Sequence, residues 1–297
     1  MADGTHWPRV DVIILNWNGK EDTLRCLRSV QELDYPRYRV LVVDNASNDG
    51  SAEAVRAAFP AVELLMNASN LGFAAGNNEG IRYALQNGAD GVFLLNNDTR
   101  VEPAVLTALV KTCADDPGVG LASPKVYYED RPGVIYYAGA RQGPLPLIPR
   151  LIGAGEEDRG QYERVQEVDH IWGQAMFIKR EVVERIGLLD PRFFMYYEDI
   201  DYCLRAKSAG FKIVCVPAAR VWHQVAKGTK GDYLTRWQYK VTSMWRFHRK
   251  HSRLGWLQAL WLTIVSMAWI LIRELARGNW RPLSQMARSW FRRRTQS

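Results

Sequence analysis

The stretch FLLNNDTR, residues 93–100, ends an apolar run on two amides and a carboxylate: Asn96, Asn97 and Asp98. Asn and Asp make turns by bonding their own backbone, but a carboxylate at the tip of a buried strand can equally hold something that arrives from outside. A second polar cluster lies in DPRFFMYYEDIDYCLRAKSAGFKIVCVPAARVWHQ, residues 190–224. Glu198 and Asp199 open a helical stretch there, with Arg205 and Lys207 late and Gly210 at its end. The helix dipole and a glycine stop account for that pattern unaided. They do not account for the aromatic approach, Phe193, Phe194, Tyr196 and Tyr197. Bulky rings can wall off a carboxylate and raise its affinity for a proton, so one of Glu198 and Asp199 is a candidate general base. His223, in RVWHQ, reads by itself as a structural histidine.

Such residues need a frame. RVDVIILNW (9–17), YRVLVVDN (38–45), AVELLMN (61–67) and DGVFLLNN (90–97) are short runs rich in Val, Ile and Leu. Between them KEDTLRCLRSVQEL, SAEAVRAAF and AAGNNEGIRYALQNG carry helical spacing, as in Leu24, Leu27 and Val30. Strand and helix in alternation predict βαβ units, a mostly parallel sheet and an α/β fold. Ligands of such sheets bind outside the carboxyl ends of the strands. Those ends are polar here: Asn16 and Asn18, Asp44 and Asn45, Asn67 and Asn70, then Asn96, Asn97 and Asp98. Any one of these is a plausible turn, but together they form a rim of hydrogen-bonding groups suited to a nucleotide. Residues 142–168, rich in Pro and Gly with an acidic cluster, predict a long mobile loop.

Composition is that of an ordinary globular protein, at 47% hydrophobic and 24% charged residues. Cys26, Cys113, Cys203 and Cys215 have no zinc-ligand spacing and predict buried thiols in a reducing compartment. The first ten residues, MADGTHWPRV, lack a signal-peptide pattern, which places the catalytic part in the cytoplasm. The net charge of +7 is uneven: residues 240–253 carry +5 and residues 273–297 carry +6, leaving the first 239 residues at −4. A basic tail on a mildly acidic body points to an anionic surface as partner. A dinucleotide oxidoreductase would need GxGxxG after the first strand, where only Gly19 occurs, and no GxxxxGK[ST] phosphate loop is present. The glycine-rich basic loop of nucleotidyltransferases is missing too.

Taken in order, VIILNWNG, VVDNASNDGS, NLGFAAGNNEGI, LLNND, GLLDPRFFMYYEDIDYCLRAKSAGF and VPAARVWHQ resemble the inverting nucleotide-sugar glycosyltransferases of family 2. The resemblance spans about residues 10–225 and is strongest to the bacterial rhamnosyltransferase-like branch of cell-envelope polysaccharide assembly. It implies a GT-A fold for residues 1–225, with residues 226–297 as a basic, Trp-rich helical segment. It implies that Asp44 contacts the base or ribose of the donor, with Asn16, Asn45, Asn97 and the stretch Gly72–Asn77 completing the donor pocket. Asp98 matches the last acid of the family's DxD metal motif, and His223 a histidine that completes the metal site in several relatives. Asp199 matches the catalytic base, with Glu198 beside it.

The sequence departs from a common form of DxD in having Asn96 at the first acidic position. Asp98 can still suffice, because Mg²⁺ is commonly held by one or two carboxylates plus substrate phosphates, whereas an imidazole ligand favours Mn²⁺. The resemblance further implies a dTDP- or UDP-linked donor, rhamnose among the candidate sugars, and a lipid-linked or polysaccharide acceptor. A non-catalytic sugar-nucleotide- or glycan-binding relative of that family is the alternative. The QxxRW signature of processive synthases is absent, since Tyr233 stands where Gln would precede Arg236 and Trp237, so one sugar per encounter is expected. Residues 254–272 are an uncharged run studded with Trp256, Trp261 and Trp269 and flanked by basic residues on both sides. That predicts a helix lying in the cytoplasmic membrane interface, with residues 240–297 on anionic headgroups. A homodimer interface is the other use of such a run, and tryptophan-rich apolar helices argue against nucleic acid.

Overall fold

A computed structural model describes residues 7–143, 149–224, 233–251 and 256–276. The first hundred residues form β1 (Val10–Asn16), α1 (Lys20–Val30), β2 (Tyr38–Asp44), α2 (Ser51–Ala58), β3 (Glu63–Met66), α3 (Gly72–Gln86) and β4 (Gly91–Asn96). Next come β5 (Thr99–Val101), α4 (Val105–Asp115), β6 (Val119–Tyr128), β7 (Ile135–Tyr137), β8 (Ala140–Gln142), β9 (Pro149–Leu151), β10 (Gln166–Glu167) and β11 (Ala175–Lys179). The chain continues through α5 (Arg180–Ile186), α6 (Glu198–Ser208), β12 (Lys212–His223), α7 (Tyr233–His251) and α8 (Trp256–Ala276).

The main sheet has the order β10-β12-β6-β11-β4-β1-β2-β3. β1 lies parallel to β2 and β4, β2 to β3, and β6 to β12. β11 runs antiparallel to both β4 and β6, so β6 and β12 point the same way as the first four strands. The expected mostly parallel sheet with helices on both faces is therefore what the chain adopts. Val10, Val12 and Ile14 pack with Leu27, Val55 and Leu106 on one face, while Ile13 packs with Ala74, Ile81, Val182 and Tyr202 on the other. Burial on both faces requires unbroken apolar runs, which is why VIIL, VLVV and VFLL show no polar alternation.

Residues 142–168 depart from the mobile loop expected of them. β8 pairs with β9, and β10 adds to β12. The acidic cluster is used internally: fully buried Lys125 reaches Asp158 at 2.8 Å and Glu163 at 2.7 Å. A buried ammonium needs such partners, and meeting that need ties the segment to the sheet. Residues 144–148 of this stretch lie outside the described residues.

α7 packs on the body of the fold, with Met244 and Phe247 buried against Phe193, Tyr197 and Ile200. α8 packs on α7 through Ala259, Leu262, Thr263 and Ser266, and Ser266 Oγ lies 3.4 Å from His248 Nε2. Among the described residues no helix is long and apolar enough to cross a membrane. Residues 277–297, with much of the expected basic contact, lie outside the described residues.

Candidate active site

The carboxyl ends of β1, β2 and β4 come level, with Asn16 opposite Asp44 and Leu15 opposite Asn96. One polar network then links most of the expected donor pocket. Asn16 Nδ2 donates to Asp44 Oδ2 at 2.8 Å, and Asn16 Oδ1 accepts from Thr23 Oγ1 at 2.9 Å and Asn97 Nδ2 at 3.1 Å. Asp44 Oδ1 accepts from the Ser47 amide at 2.8 Å. Asn16 and Asp44 are fully buried, and each amide atom is spent on a neighbour, so this network stiffens the strand ends rather than leaving groups idle. Gly19 is required by it: a Cβ there would stand 2.2 Å from Asn97 Nδ2.

Asn45 joins the next layer, donating to the Gly72 carbonyl at 3.0 Å and accepting from Asn67 Nδ2 at 2.8 Å. Asn77 sits inside α3 and donates to the Phe73 carbonyl at 3.0 Å. Gly72 opens α3 at φ +79°, where a Cβ would come within 2.4 Å of the Phe194 carbonyl oxygen. The Phe73 amide donates to that same carbonyl at 2.6 Å. This close approach brings the donor side of the site against the segment that leads to Glu198. Gly72→Ala should therefore lower the melting temperature, since left-handed backbone alone costs about 1–2 kcal/mol, and should slow turnover by displacing Phe194. Thermal melting and a rate assay check both effects, and a native-like variant would refute this account of Gly72.

Asp98 occupies the turn between β4 and β5. β5 pairs antiparallel with β12 and sets Thr99 opposite His223. This pairing brings Asp98 Oδ1 within 3.1 Å of His223 Nε2, with both side chains nearly buried. That contact is not aligned as a hydrogen bond, so Asp98 Oδ1 accepts none, and His223 Nδ1 makes none either. A buried carboxylate oxygen without a donor is costly, and a shared cation would relieve the cost. Two ligand atoms held about 2.1 Å from one ion at a right angle stand about 3.0 Å apart, which this pair matches. Among the described residues no group of three or more His, Cys, Asp or Glu side chains converges, so donor phosphates would have to complete the coordination. The residues present fit a divalent cation shared with a diphosphate.

Asp199 lies in the first turn of α6, partly exposed. Its Oδ1 accepts from the Ile200 amide at 2.8 Å and its Oδ2 from the Gly173 amide at 3.3 Å. Burial pushes its carboxyl up to about 6 despite those bonds. Glu198 is buried, its Oε2 has no partner, and burial together with the charge of Asp199 raises it well above the ordinary range. The folded state thus takes up a proton on Glu198 that the unfolded chain releases near pH 4.3. Its cost to stability grows as pH rises from there through the folded value. Glu198→Gln should melt higher than the native protein at neutral pH, by about 2–4 °C for each kcal/mol relieved. The gain should vanish below about pH 4, and a lower melting temperature at neutral pH would refute this account.

Tyr196 and Tyr197, directly before these acids, both adopt left-handed backbone, at φ +71° and +70°. Non-glycine residues held there cost on the order of 1–3 kcal/mol each and mark functional segments. Tyr136 connects the two halves of the site. Its ring centroid lies 5.7 Å from that of His223 and 5.8 Å from that of Trp172, the residue before Gly173. Burial raises its hydroxyl, and the charges of Asp98 and Asp199 both add to the effect. Ser47, Thr23, Tyr136, Trp172 and Gly173 were not legible as site residues. Only Ser47, three residues after Asp44 in a turn-rich run, left a local trace.

Sheet order, helices on both faces and a polar carboxyl edge define a GT-A nucleotide-sugar glycosyltransferase fold. A family description, glycosyltransferase like family 2, matches residues 8–240. The chain belongs to that family and is a glycosyltransferase. A low-salt glycan biosynthesis hexosyltransferase of Haloferax volcanii is 26% identical over 90% of this chain and 84% of its own. An N-acetylglucosaminyl-diphospho-decaprenol L-rhamnosyltransferase of Mycobacterium tuberculosis is 29% identical over 65% of this chain and 68% of its own. Among solved structures, a mannosyltransferase of Pyrobaculum calidifontis in complex with GDP-Man and Mn²⁺ matches with a TM-score of 0.60 at 22% identity. That match covers 97% of this chain and 81% of the other.

Proposed function

We propose that this glycosyltransferase is inverting and metal-dependent, and moves one sugar from a nucleoside-diphosphate donor to a hydroxyl of a lipid-linked or polysaccharide acceptor in cell-envelope glycan assembly. The donor is dTDP- or UDP-linked, with rhamnose or a similar sugar. One observation carries the reading: a single carboxylate, Asp199, is held by the amides of Ile200 and Gly173, and the Tyr136 ring lies 5.8 Å from Trp172, the neighbour of Gly173, and 5.7 Å from His223, the partner of Asp98. The matched rhamnosyltransferase, whose name specifies a diphospho-decaprenol substrate, supports the acceptor class.

In this mechanism the donor lies along the carboxyl edge of β1, β2 and β4, its nucleoside against the Asn16–Asp44 and Asn45–Gly72 layers. Asp98 and His223 would hold the cation, which supplies Lewis-acid stabilisation of the diphosphate as the sugar–phosphate bond breaks. Asp199 accepts the proton of the acceptor hydroxyl as that oxygen attacks the anomeric carbon. One displacement inverts that carbon, and one base suffices. Glu198 beside it, whose burial favours the protonated form, keeps a second negative charge out of the same pocket. A thermal-shift series with dTDP, UDP and GDP and their sugars, each with and without Mn²⁺, tests the donor assignment. A metal-dependent rise with one nucleotide family is expected, and no rise with any would favour a non-catalytic, glycan-binding relative.

The proposal includes peripheral attachment to the cytoplasmic face of the membrane. α8 turns Ala259, Leu262, Thr263 and Ser266 inward and leaves Trp256 63%, Trp261 58% and Ile264 57% exposed. That is the reverse of an ordinary surface helix. An outward apolar face next to basic sequence suits an anionic lipid surface. The double variant Trp261→Asp, Ile264→Asp should lose most co-sedimentation with phosphatidylglycerol vesicles. Unchanged sedimentation, with a native dimer that becomes monomeric in the variant, would assign the face to a second copy instead.

A further inference from the structure

We infer that α7 is a positioning element for the catalytic base, with Lys250 as its principal anchor; the inference rests on reading Asp199 as that base. The segment from Asp190 to Asp201 carries both left-handed tyrosines and both acids, yet has little regular structure before α6. Strained backbone persists only where its surroundings over-determine it, and α7 supplies those surroundings at each point. Tyr239 stacks on Phe194 with centroids 4.6 Å apart. Ser243 Oγ donates to the Met195 carbonyl at 2.8 Å, and Arg246 donates to the Arg192 carbonyl. Phe247 packs on Tyr197 with centroids 5.2 Å apart.

The strongest tie is ionic. Asp201, fully buried and two residues after the base, takes Lys250 Nζ at 2.7 Å and His251 Nε2 at 2.8 Å on Oδ1. Its Oδ2 takes Arg205 Nε at 2.9 Å. Lys250 Nζ also lies 2.8 Å from Asp190 Oδ2, so one ammonium clamps the two ends of the segment together. From the other side, Asn78 of α3 exchanges two hydrogen bonds with the backbone of Leu189. The base helix is thus gripped between α3, which borders the donor, and α7, which lies beyond the nucleotide-binding half altogether.

Lys250→Met tests this without stranding a charge, because Asp201 keeps His251 and Arg205 while Asp190 keeps Arg192. The measurement is metal-dependent donor binding by thermal shift, alongside release of nucleoside diphosphate when water is the acceptor. The expected result is native donor binding with turnover lowered on the order of tenfold, as a slightly misplaced base requires, and recovery of most of the rate in Lys250→Arg. Ser243→Ala, which alters no charge, should lower the rate in the same sense and leave donor binding alone. Native rates in both Lys250→Met and Ser243→Ala would overturn the inference. So would equal losses of donor binding and rate, which mark a merely structural contact. A native protein that neither binds donor nor releases nucleotide would instead remove the reading of Asp199 on which the inference stands.

Discussion

Asp199→Asn should bind metal and donor as the native protein does and transfer almost no sugar. The amide keeps its oxygen for the shorter of the two backbone bonds, that from the Ile200 N–H at 2.8 Å, and gives up only the longer one from Gly173 at 3.3 Å, so the first turn of α6 stays anchored. What it cannot do is accept a proton from the attacking hydroxyl, and loss of a positioned general base costs on the order of 10²–10⁴ in rate. The pH profile gives the same residue a second signature. Burial holds the Asp199 carboxyl at about 6, and only its ionised form accepts the proton. The native rate should rise with pH through about 6 and level off above it. The residual rate of Asp199→Asn should lack that limb. A variant that retains both the rate and the limb would remove Asp199 from the mechanism.

Asp98→Ala should fail one step earlier, losing the Mn²⁺-dependent part of donor binding and with it at least about 10² in transfer, since Lewis-acid stabilisation is worth several kcal/mol. The geometry predicts that His223→Ala is milder and shifts the preferred ion toward Mg²⁺: the carboxylate and the phosphates suffice for a hard cation, while the imidazole favours a transition ion. Donor titrations with each ion, for each variant, separate these effects. If Asp98→Ala titrates like the native protein, the pair formed by Asp98 and His223 is a structural contact and the cation lies elsewhere.

These two variants divide the site between residues read from opposite kinds of information. Asp98 and Asp44 were visible because a strand that must be buried on both faces announces itself as an unbroken apolar run, and its polar end then stands out. Helix spacing between four such runs was enough to make the sheet parallel and to direct attention to its carboxyl edge. The ordered motifs supplied the family, because backbone turns and strand ends are local and leave their residues in sequence. Residue chemistry alone left Asp199 and Glu198 as equal candidates, since a dipole-complementing acid and a base look alike in one dimension, and only the family resemblance put Asp199 first.

What sequence could not carry was anything that depends on which surfaces meet. Residues 142–168 look like free loop, yet Lys125, 33 residues before Asp158, needs a buried counter-charge and draws the segment onto the sheet. Tyr136 and Trp172 sit in stretches with no chemical pattern, and only the pairing of β7 with β6 and the approach to β11 bring their rings together beside His223. The basic residues of 240–253 were assigned to headgroups as a block, but Lys250 is used inside the protein, on Asp190 and Asp201. Local periodicity thus determined the strands, the helices and the polar edge, because those follow from each residue's own burial. The pairing of distant charges and rings, which sets proton affinity at Asp199 and ties α6 to α7, was decided only when the chain folded and removed water from between them.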